Sequence, residues 1–182
     1  YTPTHTLSLH DALPICGYSE SLTLKTALEN AYYSSFPVAA AGNDFIGIHV
    51  ADCGPRLPWP SPHFPACYSF VMGVQSSTGR FSNYDCSGPT RALNADGFNY
   101  EVSFPGSSIY STLPNNRYGN FTGTSMASPI VAGAAALLKS YRTNISHDEM
   151  FSRLIACSGD IEYALSMSLA PNLVLFGFEV VD

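Results

Sequence analysis

The chain has 182 residues, of which 46% are hydrophobic and only 12% are charged, a composition typical of a packed globular protein. Its formal net charge of −6 argues against a nucleic-acid partner, which would require a basic surface. The longest apolar run, 130–138, is too short to cross a bilayer, so we expect no membrane partner and a buried helix here.

The first segment does not resemble the rest of the chain. Residues 6–15, TLSLHDALPI, are what a common sequencing adapter encodes when it is translated in this frame. We therefore set residues 1–16 apart from the fold as an adapter-derived or unassigned segment. The pair His10 and Asp11 then has no functional meaning, although it would otherwise suggest acid–base chemistry. Cys16 is interpreted as a glycine codon altered by the adapter.

The cysteines bear on the compartment and on metal binding. Setting Cys16 aside leaves four of the five cysteines, an even number that suits an oxidising compartment. None of them has C-x-x-C spacing, so we expect no zinc site. Cys53 and Cys67 flank a proline-rich stretch, and we predict a disulfide between them; two separate buried thiols are the alternative.

The first elements alternate helix and strand. Residues 19–33 carry apolar side chains at helical spacing, which predicts an amphipathic helix. The short apolar run 36–41, ended by Gly-Asn-Asp at 42–44, predicts a buried parallel strand that leads into a turn. The stretch 49–67 contains so many prolines that we expect an irregular loop.

The alternation continues in the second half of the chain. Residues 68–74 and 99–104 predict two further strands, and a long apolar helix follows at about 125–141. A second helix is predicted at 146–157, and the tail 171–182 has the pattern of a strand that is cut short. Strands that alternate with helices indicate an α/β fold with a mostly parallel sheet.

Ser125 lies where a nucleophile would benefit from its surroundings. Gly123 permits a tight turn and the close approach of another backbone. The helix start offers N–H groups and the positive end of the helix dipole, and Pro129 is expected within the first turn. On these residues alone, an ordinary N-capping serine on a buried helix is the alternative.

Three stretches together resemble the subtilisin-like serine proteases, the subtilases. These are GTSMASPIVAGAAALL at 123–138, VAAAGND at 38–44 and FPGSSIYSTLP at 104–114, in the order that the family has them. The resemblance is closest to secreted subtilases of Bacteroidetes-type bacteria. It implies a subtilisin-like three-layer α/β fold with a mostly parallel sheet, whose N-terminal part is missing here. Residues 17–169 would be a partial catalytic domain, and residues 170–182 the start of a following segment.

The resemblance also assigns roles. Ser125 matches the nucleophile, and Asn43 matches the asparagine whose amide donates to the oxyanion together with the Ser125 backbone N–H. An ordinary turn asparagine is the alternative for Asn43. The substrate-binding residues implied by the match are Ala39, Ala40, Ala41, Gly42, Gly123 and Thr124.

The residues that would activate the serine are not found. Subtilases carry an aspartate motif and then a histidine motif before the oxyanion asparagine, and neither motif precedes Asn43. His49 and His63 lie in the proline-rich stretch and are interpreted as surface residues. The pair His147 and Asp148 follows the serine, as in α/β-hydrolases, but the glycine pattern around the serine is imperfect. We expect the triad aspartate and histidine to be encoded upstream.

The sequence thus predicts a serine endopeptidase that acts on peptides or proteins, bacterial and secreted or at the cell surface. The chain as given is expected to be inactive alone. A structural calcium ion in the full-length protein is the one cofactor that the family suggests, and no metal-binding residue is assigned here. A non-catalytic subtilase-like relic that only binds peptides is the alternative, and a serine esterase is a third hypothesis.

Overall fold

The computed structural model describes residues 17–48, 62–78, 81–85 and 99–166, with side chains up to Ser158. The N-terminal segment 1–16, the predicted tail strand at 171–182, His49 and Cys53 lie outside the described residues. The elements are α1 (Leu22–Tyr32), β1 (Val38–Ala40), β2 (Gly47–Ile48), β3 (Met72–Ser76), β4 (Tyr84–Asp85), β5 (Val102–Phe104), β6 (Ile109–Leu113), β7 (Arg117–Phe121), α2 (Thr124–Tyr141) and α3 (His147–Ser166).

A parallel sheet with the strand order β1–β3–β5 forms the centre of the described fold. The register places Val38 beside Met72 and Val74 beside Val102. The predicted strands at 36–41 and 99–104 are therefore confirmed. Both faces of the sheet are covered, so β1 and β3 are almost entirely buried, and apart from Gln75 their buried residues are apolar or small.

Helices α2 and α3 cover one face of the sheet. In α2, Ala127, Val131 and Ala135 lie four residues apart on one side, and all three are buried against the strands. Small side chains at these positions let the helix approach the sheet closely. Helix α3 adds Met150, Phe151, Leu154 and other residues to the same apolar cluster.

The other face is covered mainly by the turns at 63–71. Phe64, Ala66 and Tyr68 are buried there with Ala39 and Ala41 of the β1 end. Helix α1 is confirmed, but it contributes little to the core on this face. Of its apolar side chains, Leu28 packs against this cluster, whereas Leu22 is 75% exposed.

Two predictions about residues 63–74 are wrong. The strand begins at Met72 rather than at residue 68, because turn hydrogen bonds, such as Cys67 N–H to the His63 carbonyl at 3.2 Å, hold the preceding backbone. His63 is only 6% exposed and is not a surface residue. Cys67 is wholly buried, and the predicted disulfide stays a prediction, because its partner Cys53 lies outside the described residues.

The hairpin of β6 and β7 carries the chain from the sheet to α2 and was not predicted from the sequence. Its two strands are antiparallel, and Asn115 and Asn116 turn the chain with positive φ angles of 64° and 54°. Asparagine tolerates this left-handed region better than most residues. The hairpin ends at Phe121, four residues before Ser125.

Both long helices are confirmed, with changes at their ends. Ser146 caps α3 as predicted, since its side-chain oxygen accepts the Glu149 N–H at 3.2 Å, but the helix continues past residue 157 to Ser166. A single Gly159 is not enough to end it. Helix α2 begins at Thr124, so Pro129 is its sixth residue rather than part of the first turn. The Ser125 carbonyl therefore receives no helical N–H from residue 129.

Candidate active site

Ser125 is exposed in the first turn of α2. Its backbone N–H donates to no other described residue, as expected for one of the first N–H groups of a helix. The positive end of the helix dipole favours negative charge at this position. The serine hydroxyl and a backbone donor are therefore presented together at a site suited to an anion.

Asn43 lies in the turn that follows β1, and its side chain is held by the residue that precedes the serine. The Thr124 backbone N–H reaches the Asn43 Oδ1 atom at 2.8 Å, and the Thr124 hydroxyl reaches it at 3.1 Å. A backbone N–H can only donate, so the atom that it meets must be the amide oxygen. The Asn43 NH₂ group is thereby left free, and it donates to no other described residue.

Thr124 links the helix start to the strand end. Its side chain is wholly buried, and its hydroxyl oxygen also accepts the Gly42 N–H at 3.1 Å. The hydroxyl thus donates to Asn43 and accepts from Gly42, which satisfies a buried polar group on both sides. Because one residue holds both neighbours, the turn after β1 and the first turn of α2 keep a fixed relative position.

Two glycines leave room around Asn43. A methyl group at Gly123 would lie 3.5 Å from the Asn43 Nδ2 atom, so glycine keeps this approach to the amide open. Gly42 has a φ of 100°, in the left-handed region that favours glycine. A methyl group there would lie 2.5 Å from the Asn83 Nδ2 atom, closer than any side chain permits.

Polar residues lie beside the turn that carries Asn43. The Tyr18 hydroxyl donates to the Asp44 carboxylate at 2.5 Å, and the Tyr18 ring meets the His63 ring edge-on at 4.8 Å. Burial, followed by the hydrogen bond to Asp44, raises the pKa of Tyr18 to about 12. The His63 Nδ1 atom is buried and has no hydrogen-bond partner among the described residues, and burial lowers the pKa of this imidazole.

The described histidines do not contact the serine. Neither His63 nor His147 is hydrogen-bonded to Ser125 in the described part of the chain. His147 packs instead against the Tyr32 ring at 4.6 Å. The arrangement therefore offers a hydroxyl, a backbone N–H and an amide NH₂ group, but the described residues pair no base with the hydroxyl. The α/β-hydrolase alternative built on His147 and Asp148 gains no supporting contact.

The described residues form neither a metal-binding cluster nor a membrane-spanning helix. No three His, Cys, Asp or Glu side chains come together there in a way that could hold a metal ion, so no calcium ligand is assigned. Among the described helices, none has the length and apolar character that a membrane span requires.

The structure brings most of the predicted site residues together. Asn43, Gly123, Thr124 and Ser125 are neighbours, joined by the hydrogen bonds of Thr124. Ala39, Ala40 and Ala41 are buried at the strand end that leads into Gly42, and their role as a wall of the substrate pocket stays a prediction. Sequence reasoning missed Tyr18, His63 and Asn83. No local pattern marks them, because a polar residue in a turn-rich stretch is usually exposed.

Comparisons with known proteins identify the family. A model of the Subtilase family matches residues 16–169. The Major intracellular serine protease of Bacillus subtilis (strain 168) is 32% identical over 173 residues, which are 92% of this chain and 48% of that protein. Subtilisin DY of Bacillus licheniformis is 37% identical over 139 residues, 76% of this chain and 45% of that protein. The chain thus spans about half the length of these curated relatives.

Solved structures support the same fold. Sphericase matches with a TM-score of 0.62 and 24% identity over 80% of this chain and 47% of its own. The S41 Psychrophilic Protease matches with a TM-score of 0.62 and 26% identity over the same shares. The predicted subtilisin-like α/β fold is thereby confirmed, and the likeness to Bacteroidetes-type enzymes stays a prediction. On the match over residues 16–169, the chain belongs to the subtilase family of peptidases.

Proposed function

We propose that the protein is a serine endopeptidase in which Ser125 attacks the scissile carbonyl of a peptide or protein substrate. Asn43 and the Ser125 backbone N–H stabilise the oxyanion that forms. Membership of the subtilase family supports peptidase activity in general. The assignment of roles to individual residues is our proposal.

One observation carries this assignment. The Asn43 amide oxygen is occupied by two donors from Thr124, so the NH₂ group of the same amide is held ready to donate. A donor fixed before the substrate arrives needs no reorganisation when charge develops on the carbonyl oxygen. An ordinary turn asparagine would not need its orientation fixed by the residue next to an exposed serine.

The surroundings suit the same chemistry. The Ser125 N–H lies at the positive end of an 18-residue helix, and it supplies the second donor. Gly123 lets the substrate backbone approach the serine without a side chain in the way. We assign the wall of the pocket for the residue before the scissile bond to Ala39, Ala40, Ala41 and Gly42.

A serine hydroxyl is a weak nucleophile unless a base accepts its proton. Because no described histidine is hydrogen-bonded to Ser125, the base and the carboxylate that orients it come from outside the described residues. Since the subtilase aspartate and histidine motifs do not precede Asn43 in this sequence, we propose that the 182-residue chain alone is inactive as a peptidase. A location outside the cell is also part of the proposal, although one relative is named an intracellular protease.

The test is covalent labelling with a peptidyl phosphonate, which reacts with an activated serine. The protein expressed from its complete gene should be labelled stoichiometrically at Ser125, and the 182-residue chain should not be labelled. Ser125→Ala should abolish labelling. Ser140→Ala, which alters an exposed serine near the other end of α2, should leave labelling unchanged.

The outcomes separate the alternatives. No labelling of the folded product of the complete gene, together with retained peptide binding, would favour a non-catalytic relic. Stoichiometric labelling of Ser125 in the isolated chain would show that a base lies within these 182 residues, and it would overturn the proposal that the chain alone is inactive.

A further inference from the structure

Asn83 is a buried polar residue that the peptidase mechanism does not yet use. It lies just before β4, far from Asn43 in sequence, and is only 1% exposed. Such a residue is costly to bury unless its polar atoms are satisfied. In Asn83 every polar group of the side chain is bonded, and the partners surround one turn.

Both ends of the Asn83 amide bind the turn that carries Asn43. The Oδ1 atom accepts the N–H groups of Asp44 and Ile46, each at 3.0 Å. The Nδ2 atom donates to the Ala41 carbonyl at 2.9 Å. The side chain is therefore hydrogen-bonded to the backbone on both sides of Asn43.

The main chain of Asn83 adds to this contact. Its N–H donates to the Gly42 carbonyl at 2.9 Å, so the residue directly before Asn43 is held as well. Gly42 approaches so closely that a methyl group on it would collide with the Asn83 amide. This close contact between Gly42 and Asn83 restricts movement of the turn.

Tyr18 binds the same turn and is partly exposed to solvent. The Tyr18 hydroxyl accepts from Asn83 Nδ2 at 3.1 Å and donates to the Asp44 carboxylate at 2.5 Å. Tyr18 is 39% exposed, whereas Asn83 is buried, so Tyr18 can be altered with less risk to folding.

We infer that Asn83 is a positioning residue for the oxyanion donor: it fixes the backbone of residues 41–46 so that the Asn43 amide meets the developing negative charge. Thr124 sets the rotation of the Asn43 side chain, and Asn83 sets the backbone from which that side chain extends. The inference rests on the proposed oxyanion role of Asn43. Asn83 itself does not touch the reacting atoms.

The test is a double-mutant cycle in the protein expressed from its complete gene. Asn83→Ala should lower kcat by about tenfold to a hundredfold with little change in KM, since small misplacements of a catalytic group have effects of this size. In an Asn43→Ala background the same change should alter kcat by less than about twofold, because the donor that it positions is gone. Equal effects in both backgrounds would indicate a merely structural role and would overturn the inference.

Two further variants keep the test decisive. Ser158→Ala removes a buried hydroxyl that accepts the Ser103 N–H at 3.1 Å, away from the turn, so it should lower stability and leave kcat unchanged. If Asn83→Ala does not fold, Tyr18→Phe replaces it. That change should lower kcat by about threefold through Asn43 alone, and an unchanged kcat would overturn the inference.

The failures can be told apart. If Asn43→Ala itself leaves kcat within about twofold of wild type, the proposed oxyanion role fails and this inference fails with it. If Asn43→Ala lowers kcat strongly while Asn83→Ala and Tyr18→Phe do not, only the positioning role of Asn83 is wrong.

Discussion

Thr124 binds the side-chain oxygen of Asn43 twice, through its backbone N–H at 2.8 Å and through its hydroxyl at 3.1 Å. The two residues come from the start of a helix and from the end of a strand more than eighty positions away in sequence. This relationship fixes which end of the Asn43 amide is bound by Thr124 and which end is left to donate, and it makes the orientation of the amide a property of the fold.

Thr124→Val should show how much this orientation matters. The change keeps the shape of the side chain and removes the hydroxyl, leaving the buried Gly42 N–H without its acceptor. We expect a loss of about 1–3 kcal/mol in unfolding free energy. The weaker hold on Asn43 should lower kcat by about threefold to tenfold. Thr124→Ser keeps the hydroxyl, so it should keep most of the stability and most of the kcat. Equal losses in the two variants would show that the Thr124 hydroxyl does not hold Asn43.

Gly123→Ala should reduce activity by crowding the Asn43 amide. The added methyl group would lie 3.5 Å from Nδ2, the atom that we propose donates to the carbonyl oxygen of the substrate. We expect kcat/KM to fall by about tenfold or more, as for partial loss of an oxyanion donor. The matched change Gly133→Ala meets no atom within 4 Å inside α2, so it should stabilise the protein by about 0.5–1 kcal/mol and leave activity intact. Full activity of Gly123→Ala would show that the substrate does not bind on the side of the Asn43 amide that Gly123 leaves open.

His63 should make the protein less stable in acid. Burial, opposed by Asp44 and by a hydrogen bond to the Ala40 backbone, lowers its pKa below the ordinary 6.5. The unfolded chain therefore binds more protons than the folded protein as the pH falls below about 6.5. The stabilising contribution of neutral His63 is complete above that pH and is lost as the pH falls through the folded pKa.

Urea unfolding at several pH values tests this. His63→Gln should reduce the loss of stability between about pH 7 and pH 5 relative to wild type. The pKa of His147 is also lowered, by burial and by Lys139, but His147 is present in both proteins, so the difference isolates His63. Identical pH profiles would mean that His63 is not held neutral by the fold.

The apolar cluster beneath the sheet should dominate stability. Phe151 of α3 is wholly buried, and its ring lies 4.9 Å from that of Phe36. Phe151→Ala should lower the unfolding free energy by about 3–5 kcal/mol. Leu137→Ala, at a position that is 52% exposed on α2, should change it by less than about 0.5 kcal/mol. Equal effects in calorimetry would contradict the packing described here.

The sequence predicted the parts of the fold that local patterns encode. The strand before Asn43 and the helix after Ser125 have uninterrupted apolar or small residues, so their type could be inferred from neighbouring residues alone. The resemblance to subtilases also identified Ser125, through the stretch 123–138, and Asn43, through the stretch 38–44, and the structure places them on either side of Thr124.

What the sequence did not reveal depends on distant contacts. The prolines around His63 predict an exposed loop, yet the Tyr100 hydroxyl accepts its backbone N–H at 3.0 Å and Gly42 packs against its ring. Asn83 lies in a polar stretch that gives no sign of burial. The five hydrogen bonds that join it to Tyr18 and to residues 41–46 all connect distant parts of the chain, which no short-range pattern can encode.

The most direct test of the account is the kcat of Asn43→Ala in the protein expressed from its complete gene. Loss of one oxyanion donor should lower kcat by about a hundredfold to a thousandfold with a smaller change in KM. Asn144→Ala, an exposed asparagine beyond the other end of α2, should leave both constants unchanged. A kcat for Asn43→Ala within about twofold of wild type would remove Asn43 from the oxyanion hole and contradict the central claim.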